Sequence, residues 1–432
     1  GTPEDLKYLI KKAHEQGLAV IMDLIHSHTV KNINEGLNEF DGSDDQYFHP
    51  GARGYHPHWD SKCFDYGKRE VLQFLLSNVK FWLKEFHFDG FRFDGVTSMM
   101  YFDHGFRDNW DINGYFREGV EWDALVYLQL ANKLTHSVYP GAITIAEDVS
   151  GMPGLCNPIQ DGGIGFDFRL GMALPDFWIR ILKEKTDEEW NIHEMWNVMT
   201  DRLPGVKTVA YCESHDQALV GDQTLAFRLM QSNIYFHMHK TDSDIVTDRG
   251  VSLHKVIRLM TITLGGEAYL NFMGNEFGHP DWIDFPREGN NWSFRYARRM
   301  WSLVEDTELK YHFLGAFDKA MLTMVTRYGI FRDEFARQLN MDEANKTMVF
   351  MRGGLIFILN FHPHHSIPDY AFSVPEPGEY EIVLNTDNSG FGGHGRIDEK
   401  TVFFSHPGEA KTIHTLNIYI TSRTGLVLRK VR

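Results

Sequence analysis

Two hydrophobic periods alternate through the first two thirds of this chain. Stretches with an apolar residue every third or fourth position, the mark of a half-buried helix, are followed by short continuous apolar runs of buried-strand type. The spacing predicts helices over 3–16, 69–86, 121–138, 172–185 and 251–264. It predicts strands in "LAVIMDLIH" (18–26), "FDGFRFDGV" (88–96), "AITIAED" (142–148), "FDFRL" (166–170), "KTVAYCESHD" (207–216) and "AYLNFMGNE" (268–276). Six strands, five of them preceded by a helix, argue for a parallel sheet joined by crossover helices. Thr2, Pro3 and Glu4 read as N-cap, first helical position and first-turn acid of the opening helix.

Further on the pattern changes. "TMVFMRGGLIFILNFHP", "YEIVLNTD", "TVFFSH" and "TLNIYITSRTGLVLRKV" are short alternating strands between Gly, Pro and Asn turns. They predict an all-β sandwich. The expected division is therefore an α/β domain over 1–318 and an all-β domain over 319–432.

Composition narrows the functions. With 432 residues, 43% of them apolar, the chain can bury a large core and a smaller second one. A net charge of −16 without a basic block repels phosphate backbones, so no nucleic-acid partner is expected. No apolar run reaches the roughly 20 residues needed to span a bilayer, so no membrane partner is expected either. Cys63, Cys156 and Cys212 are widely spaced and odd in number, which fits a reducing, cytoplasmic setting. The start, "GTPEDLKYLI", lacks signal-peptide character and reads as mid-architecture.

Chemistry gathers at strand ends, where parallel barrels keep their active sites. Those ends carry Asp23 and His28, Arg92 and Asp94, Glu147 and Asp148, and His215 and Asp216. One strand-end aspartate is ordinarily a cap or a turn residue; four carboxylate-bearing ends are harder to explain that way. A retaining glycosidase needs an ionised carboxylate as nucleophile and a protonated carboxyl as general acid, about 5–5.5 Å apart. Arg92, two residues away on the same face, favours the charged form of Asp94, the better nucleophile. Glu147 follows an apolar strand that would keep it protonated, and is the better acid/base. Asp216 and His215 would bind sugar hydroxyls.

Other residues admit plainer readings. His26 and His28 could be the paired histidines of a metal-dependent amidohydrolase. Arg92 beside Asp94 would repel a divalent cation, so His26 is expected as a packed strand residue. His56 and His58 are expected in a turn-rich surface loop, and Cys212 as a small core residue. Tyr47, Trp59, Trp282 and Trp292 lie in Gly- and Pro-rich loops, as plugs or as platforms for glucose rings.

"DLIHSH", "GFRFDGVTS", "IAEDVS" and "ESHDQ" resemble the four conserved stretches of the α-amylase superfamily of glycoside hydrolases and transglycosylases. "ITIAEDVSGMPGLCNPIQDGGIGFDFRL", "ESHDQALVGD" and "GGEAYLNFMGNEFGHPDWIDFPREGNN" are closer still to glycogen and starch branching enzymes. The resemblance implies a TIM barrel of eight β/α units with an all-β domain after it, and retaining transfer of an α-1,4-glucan segment to a 6-hydroxyl. It implies Asp94 as nucleophile, Glu147 as acid/base and Asp216 as transition-state stabiliser. Asp23, His28, Arg92 and His215 would bind the sugar around them. It implies an α-glucan partner, no cofactor and a monomer. Many amylases place Asn before the histidine of the first stretch, where it helps hold calcium; Ser27 stands here, so no metal is expected.

Six strands are counted where the family has eight. The expected fold is thus a (β/α)8 barrel lacking its first two β/α units, with strands three to eight present, followed by an all-β sandwich. The sequence is expected to be a fragment whose first and last barrel strands have one bare edge, with helices 3–16 and 251–264 partly exposed beside them. A hydrolase on the same scaffold and an inactive glucan-binding relative stay open as alternatives.

Overall fold

The computed structural model describes residues 1–107, 110–117, 119–219, 222–333, 335–408 and 414–431. The chain divides into two compact units, one of residues 1–170 with 202–208 and one of 171–201 with 209–432.

The first unit opens on helix Pro3–Glu15, whose Thr2 cap and Asp5 exchange side-chain and backbone hydrogen bonds in a capping box. Strand β1 (Ile21–Leu24) follows, then a hairpin of β2 (Tyr55–His56) and β3 (Ser61–Lys62). Helix Arg69–Glu85 leads into β4 (Gly90–Phe93), helix Trp122–Val138 into β5 (Ile143–Ala146), and β6 (Phe168–Leu170) closes the series. β1, β4, β5 and β6 are parallel neighbours in that order, with Asp23 level with Arg92 and Phe93 level with Ala146. Leu75, Val79, Phe91, Phe93, Leu128 and Ala146 form the core under them.

The second unit holds helices Ala173–Glu184, Ile192–Thr200, Leu225–Met230, Ile245–Leu264 and Tyr311–Tyr328. Strand β7 (Thr208–Ala210) pairs in parallel with β8 (Ala268–Tyr269) through Val209–Ala268 and Ala210–Tyr269. After them comes the all-β part. Strands β9 (Arg337–Asp342), β10 (Thr347–Arg352), β11 (Leu355–Asn360), β12 (Ile367–Val374) and β13 (Glu379–Asn385) come first. The rest are β14 (Val402–Phe404), β15 (His406–Pro407), β16 (His414–Ile420) and β17 (Thr424–Lys430). One sheet has the order β14-β13-β17-β11-β10-β9 and the other β12-β16-β15.

The larger sheet is buried on both faces, which explains why "LIFIL" reads as a continuous apolar run. Alternate side chains of a strand go to opposite faces. Val349, Ile356, Ile358 and Leu428 face the smaller sheet, with Phe372, Leu416 and Ile418 opposite. Met348, Phe350, Phe357 and Val427 face the other way, into one core with Ile257, Leu259 and Met260 of helix Ile245–Leu264 and with Phe317 and Met321 of helix Tyr311–Tyr328.

The architecture is that of a (β/α) barrel without its first two units, followed by an all-β sandwich. Among the described residues β1 is bonded to β4 alone and β8 to β7 alone, so each has one bare edge. The strands are shorter than their apolar runs, because each run continues into the turn that carries the site residues. The expectation for the flanking helices holds on one side only. Tyr8 and Leu9 of helix Pro3–Glu15 are 61% and 62% exposed, and Ile10 alone is buried. Helix Ile245–Leu264 is instead buried along most of its length, because the all-β part covers it. Helix Tyr311–Tyr328, absent from the sequence reading, runs straight through position 318, where the boundary was expected.

Among the described residues no helix is long and apolar enough to cross a membrane.

Candidate active site

In the first unit the backbone ladder continues past the strand ends. The Asp94 N–H donates to the Leu24 carbonyl at 3.0 Å, and the Glu147 N–H to the Phe93 carbonyl at 3.0 Å. Asp94 and Glu147 are thereby carried on adjacent strand ends. Gly95 turns the chain between them with φ near +60°, and a Cβ there would lie 2.8 Å from Ser27 Oγ and 3.1 Å from the Trp59 ring. Glycine satisfies both the backbone angle and the close approach. Its N–H then donates to Glu147 Oε2 at 3.0 Å.

Arg92 binds three carboxylates. Nη2 donates to Glu147 Oε2 at 2.7 Å, and Nη1 lies 3.3 Å from Asp23 Oδ2 and 3.1 Å from Asp94 Oδ1. The sequence reading gave the guanidinium to Asp94; the structure shares it with Glu147 and Asp23. The reason is geometric. Parallel register sets Asp23 beside Arg92 on one side, and Ile145 beside it on the other, two residues before Glu147.

One cation against three anions leaves excess negative charge. Burial, opposed by Arg92 and reinforced by the charge of Asp94, pushes the Glu147 carboxyl up to about 7. His28 accompanies them. Its Nδ1 is 2.8 Å from Ser27 Oγ, its ring centroid is 4.7 Å from that of Trp59, and burial lowers its pKa while Asp94 opposes the shift.

His26 is committed elsewhere: its ring nitrogens meet the Tyr127 hydroxyl and Asn78 Oδ1, and burial lowers it to about 4. Among the described residues no group of three or more His, Cys, Asp or Glu side chains is placed to hold a metal. Asp148 is a structural residue, wholly buried and accepting from Thr97 Oγ1 at 2.6 Å and Ser150 Oγ at 2.6 Å.

His56 departs from the reading as a surface-loop residue. It is fully buried, and its ring lies parallel to Trp59 at 4.1 Å. The hairpin β2–β3 folds back so that Trp59 stands against His28, a link that its Gly- and His-rich sequence does not signal. Tyr47 packs edge-on against Phe74 and Trp282 stacks on Tyr296, whereas Trp292 is exposed. Cys212 is a core residue as expected, with Sγ 3.3 Å from Thr261 Oγ1.

In the second unit, His215 and Asp216 follow β7. His215 Nε2 is 3.1 Å from Asp216 Oδ1, and both side chains are accessible. The preceding turn is fixed by Gln217, whose Oε1 accepts from the Ser214 N–H at 2.9 Å and from its hydroxyl at 2.8 Å. Val220 and Gly221, near the end of this phrase, lie outside the described residues.

Residues 339–431 match the family described as "Alpha amylase, C-terminal all-beta domain". The whole chain aligns with a 1,4-alpha-glucan-branching enzyme of Felis catus at 53% identity, covering 62% of that protein. It aligns with the enzyme of the same name from Yarrowia lipolytica at 51%, again over all of the chain and 64% of the relative. For Solanum tuberosum the identity is 52%, over 94% of the chain and 48% of the relative. The chain thus spans about three fifths or less of the length of these curated relatives. In structure it is similar to an alpha-amylase from Geobacillus thermoleovorans complexed with acarbose, with TM-score 0.63 and 15% identity over 100% of this chain and 82% of that one. A maltogenic alpha-amylase from Thermotoga neapolitana gives TM-score 0.59 and 14% identity over the same shares. At such identities the structural likeness speaks for the fold alone. The sequence likeness makes the chain a relative of the 1,4-alpha-glucan-branching enzymes.

Proposed function

We propose, for this relative of the branching enzymes, that the chain carries the catalytic carboxylates of a glucan branching enzyme. Asp94 attacks the anomeric carbon of an α-1,4-linked glucosyl residue and forms an ester to it. The glycosidic bond breaks, and its oxygen takes the proton of Glu147. Glu147, now a carboxylate, removes the proton of an incoming sugar 6-hydroxyl, which attacks the anomeric carbon and displaces Asp94. The product is an α-1,6 branch with retained anomeric configuration. Asp216 and His215 bind sugar hydroxyls and favour the oxocarbenium-like transition state, and Asp23, His28 and Arg92 line the sugar site.

The supporting observation is one guanidinium held between Asp94 and Glu147, with Glu147 raised to about 7. That value lets one carboxyl serve as acid and then as base near neutral pH. The substrate is an α-glucan of the glycogen or starch kind, handled by a monomer without a cofactor in the cytoplasm. That compartment suits three cysteines that form no disulfide.

The test is incubation of the protein with amylose, counting reducing ends and α-1,6 linkages separately. Branches formed without a matching rise in reducing ends establish transfer. Reducing ends alone would make the protein a hydrolase, with water as acceptor.

A further inference from the structure

A column of rings stands beside the two carboxylates of the first unit. Its base is helix Val96–Met100, which starts directly after Gly95 and is buried along its length. The Val96 N–H donates to the Glu147 carbonyl at 3.0 Å, so this helix is tied to both carboxylate-bearing strand ends. Its Ser98 has Oγ 3.2 Å from His104 Nδ1. Between centroids, the His104 ring lies 4.0 Å from His56, the His56 ring 4.1 Å from Trp59 and parallel to it, and Trp59 4.7 Å from His28. The column therefore runs from the helix behind Asp94 to the histidine on the loop after β1.

His56 holds Trp59 in two ways. Its Nδ1 accepts the Trp59 N–H at 3.2 Å, and its face covers the indole. With Nδ1 an acceptor the proton sits on Nε2, which is buried and has no partner among the described residues. An apolar side chain would fill the place without an unsatisfied buried donor, so the histidine is explained by its grip on Trp59. Burial, joined by the neighbouring His104, His28 and His58, lowers His56 to about 4, and burial lowers His104 as well. The stacked rings are thus neutral near pH 7 and do not repel one another. Trp59 itself is 44% exposed, and an exposed side chain ordinarily changes rotamer freely. Here its orientation is fixed against the backbone behind Asp94, where a Cβ on Gly95 would lie 3.1 Å from the indole.

We propose that Trp59, held by His56, is a positioning residue for His28 and fixes that imidazole relative to Asp94 and Glu147 for the transfer reaction. Ser27 Oγ, 2.8 Å from His28 Nδ1, restrains the ring at one atom and leaves it able to turn about that contact. The indole face removes the turn. The link to a sugar rests on the proposed branching function; the column itself rests on the ring geometry.

Nitrogen NMR of the histidine-labelled protein and branching kinetics test this together, with the His28 signals assigned by their loss in His28→Ala. A ring held in one tautomer has two distinct nitrogen shifts, and a ring that turns freely has averaged ones. The His28 nitrogens should stay distinct in the parent and in Trp59→Phe. They should converge in Trp59→Leu, which keeps apolar volume but has no ring face. Trp59→Leu should also lower kcat for α-1,6 linkage formation on amylose about tenfold with KM within about threefold, and Trp59→Phe should keep most of the rate. In a His28→Ala background the same Trp59→Leu change should cost less than about twofold, since nothing is left to position. Equal costs in the two backgrounds would overturn the proposal and make Trp59 a direct sugar contact. Unchanged His28 nitrogens in Trp59→Leu would overturn it as well. If those nitrogens converge while the protein neither cleaves nor branches glucan, the column stands and the catalytic reading falls.

Discussion

Arg92 stands at the end of β4 with three carboxylates on one guanidinium, and Arg258 stands within helix Ile245–Leu264 with one. The Arg92 side chain keeps 12% of its surface accessible; that of Arg258 keeps none. Arg258 divides its donors between Asp318, Asn271 Oδ1 at 2.9 Å and the Glu276 carbonyl at 3.3 Å. Its ion pair is with one carboxylate, two neutral oxygens take further donors, and its Nε has no partner among the described residues. Such a pair holds elements together. Around Arg92 the anions outnumber the cation, and burial, reinforced by the charge of Asp94 against the opposing pull of Arg92, raises the Glu147 carboxyl to about 7. What separates the two sites is access: the carboxylates around Arg92 stand at strand ends with part of their surface open, whereas Arg258 and Asp318 are enclosed.

Removal of Asp94 should have the largest effect and should fall on activity alone. Asp94→Ala is expected to lower branching by at least about 10⁴-fold, since loss of a covalent nucleophile removes the reaction path. Its melting temperature should match or exceed that of the parent, because one of three crowded anions is gone. A large fall in melting temperature would place Asp94 with the structural ion pairs.

The opposite pattern is expected at Arg258. Arg258→Met leaves Asp318 with no cation in a buried setting and should cost about 3–5 kcal/mol in denaturant unfolding. Arg258→Met with Asp318→Leu should recover most of that loss, as an apolar pair of similar volume replaces the ions. If the double variant is no more stable than the single one, Arg258 serves more than its carboxylate.

Arg92→Lys tests the geometry between these extremes. Lysine keeps the charge but cannot span three carboxylates with a planar fork. Initial rates on amylose should fall roughly 10²-fold, with stability almost unchanged.

The two arginines differ in how far the chain discloses them. Arg92 and Asp94 are two apart in a strand pattern, so their common face follows from period two, and Glu147 follows from its place after an apolar strand. Arg258 looks like a surface position on an amphipathic helix. Its guanidinium is instead met by segments later in the chain, Asn271, the Glu276 carbonyl and Asp318 of helix Tyr311–Tyr328. The same cause hid the double-sided burial of β11 and the extension of the helix back to Ile245. His56 was misread for a related reason, since its stacking on Trp59 depends on how the hairpin folds back. What local period and motif encode was legible; what a distant segment covers was not.

The smallest expected effect concerns Glu147 and fixes the sign of the imbalance around Arg92. Its carboxyl is raised from an ordinary value near 4.5 to about 7 in the folded protein. Between those values the folded state binds the proton that the unfolded state has released. The stabilising contribution of this group is therefore complete below pH 4.5 and is lost as pH rises through 7. Glu147→Gln removes a carboxylate that is unfavourable in the folded state at high pH. Part of that unfavourable charge is already offset by Arg92 and the Gly95 N–H. The variant should accordingly be more stable than the parent by about 1–2 kcal/mol at pH 8 and equal to it near pH 4. Chemical denaturation at the two pH values measures the difference. In the parent, the same titration should make the rate of glycosidic bond cleavage fall as pH rises above 7, because the general acid has lost its proton. A Glu147→Gln protein that gains stability equally at both pH values would show that packing, and not the burial of a charged carboxylate beside Asp94, sets the cost at this position.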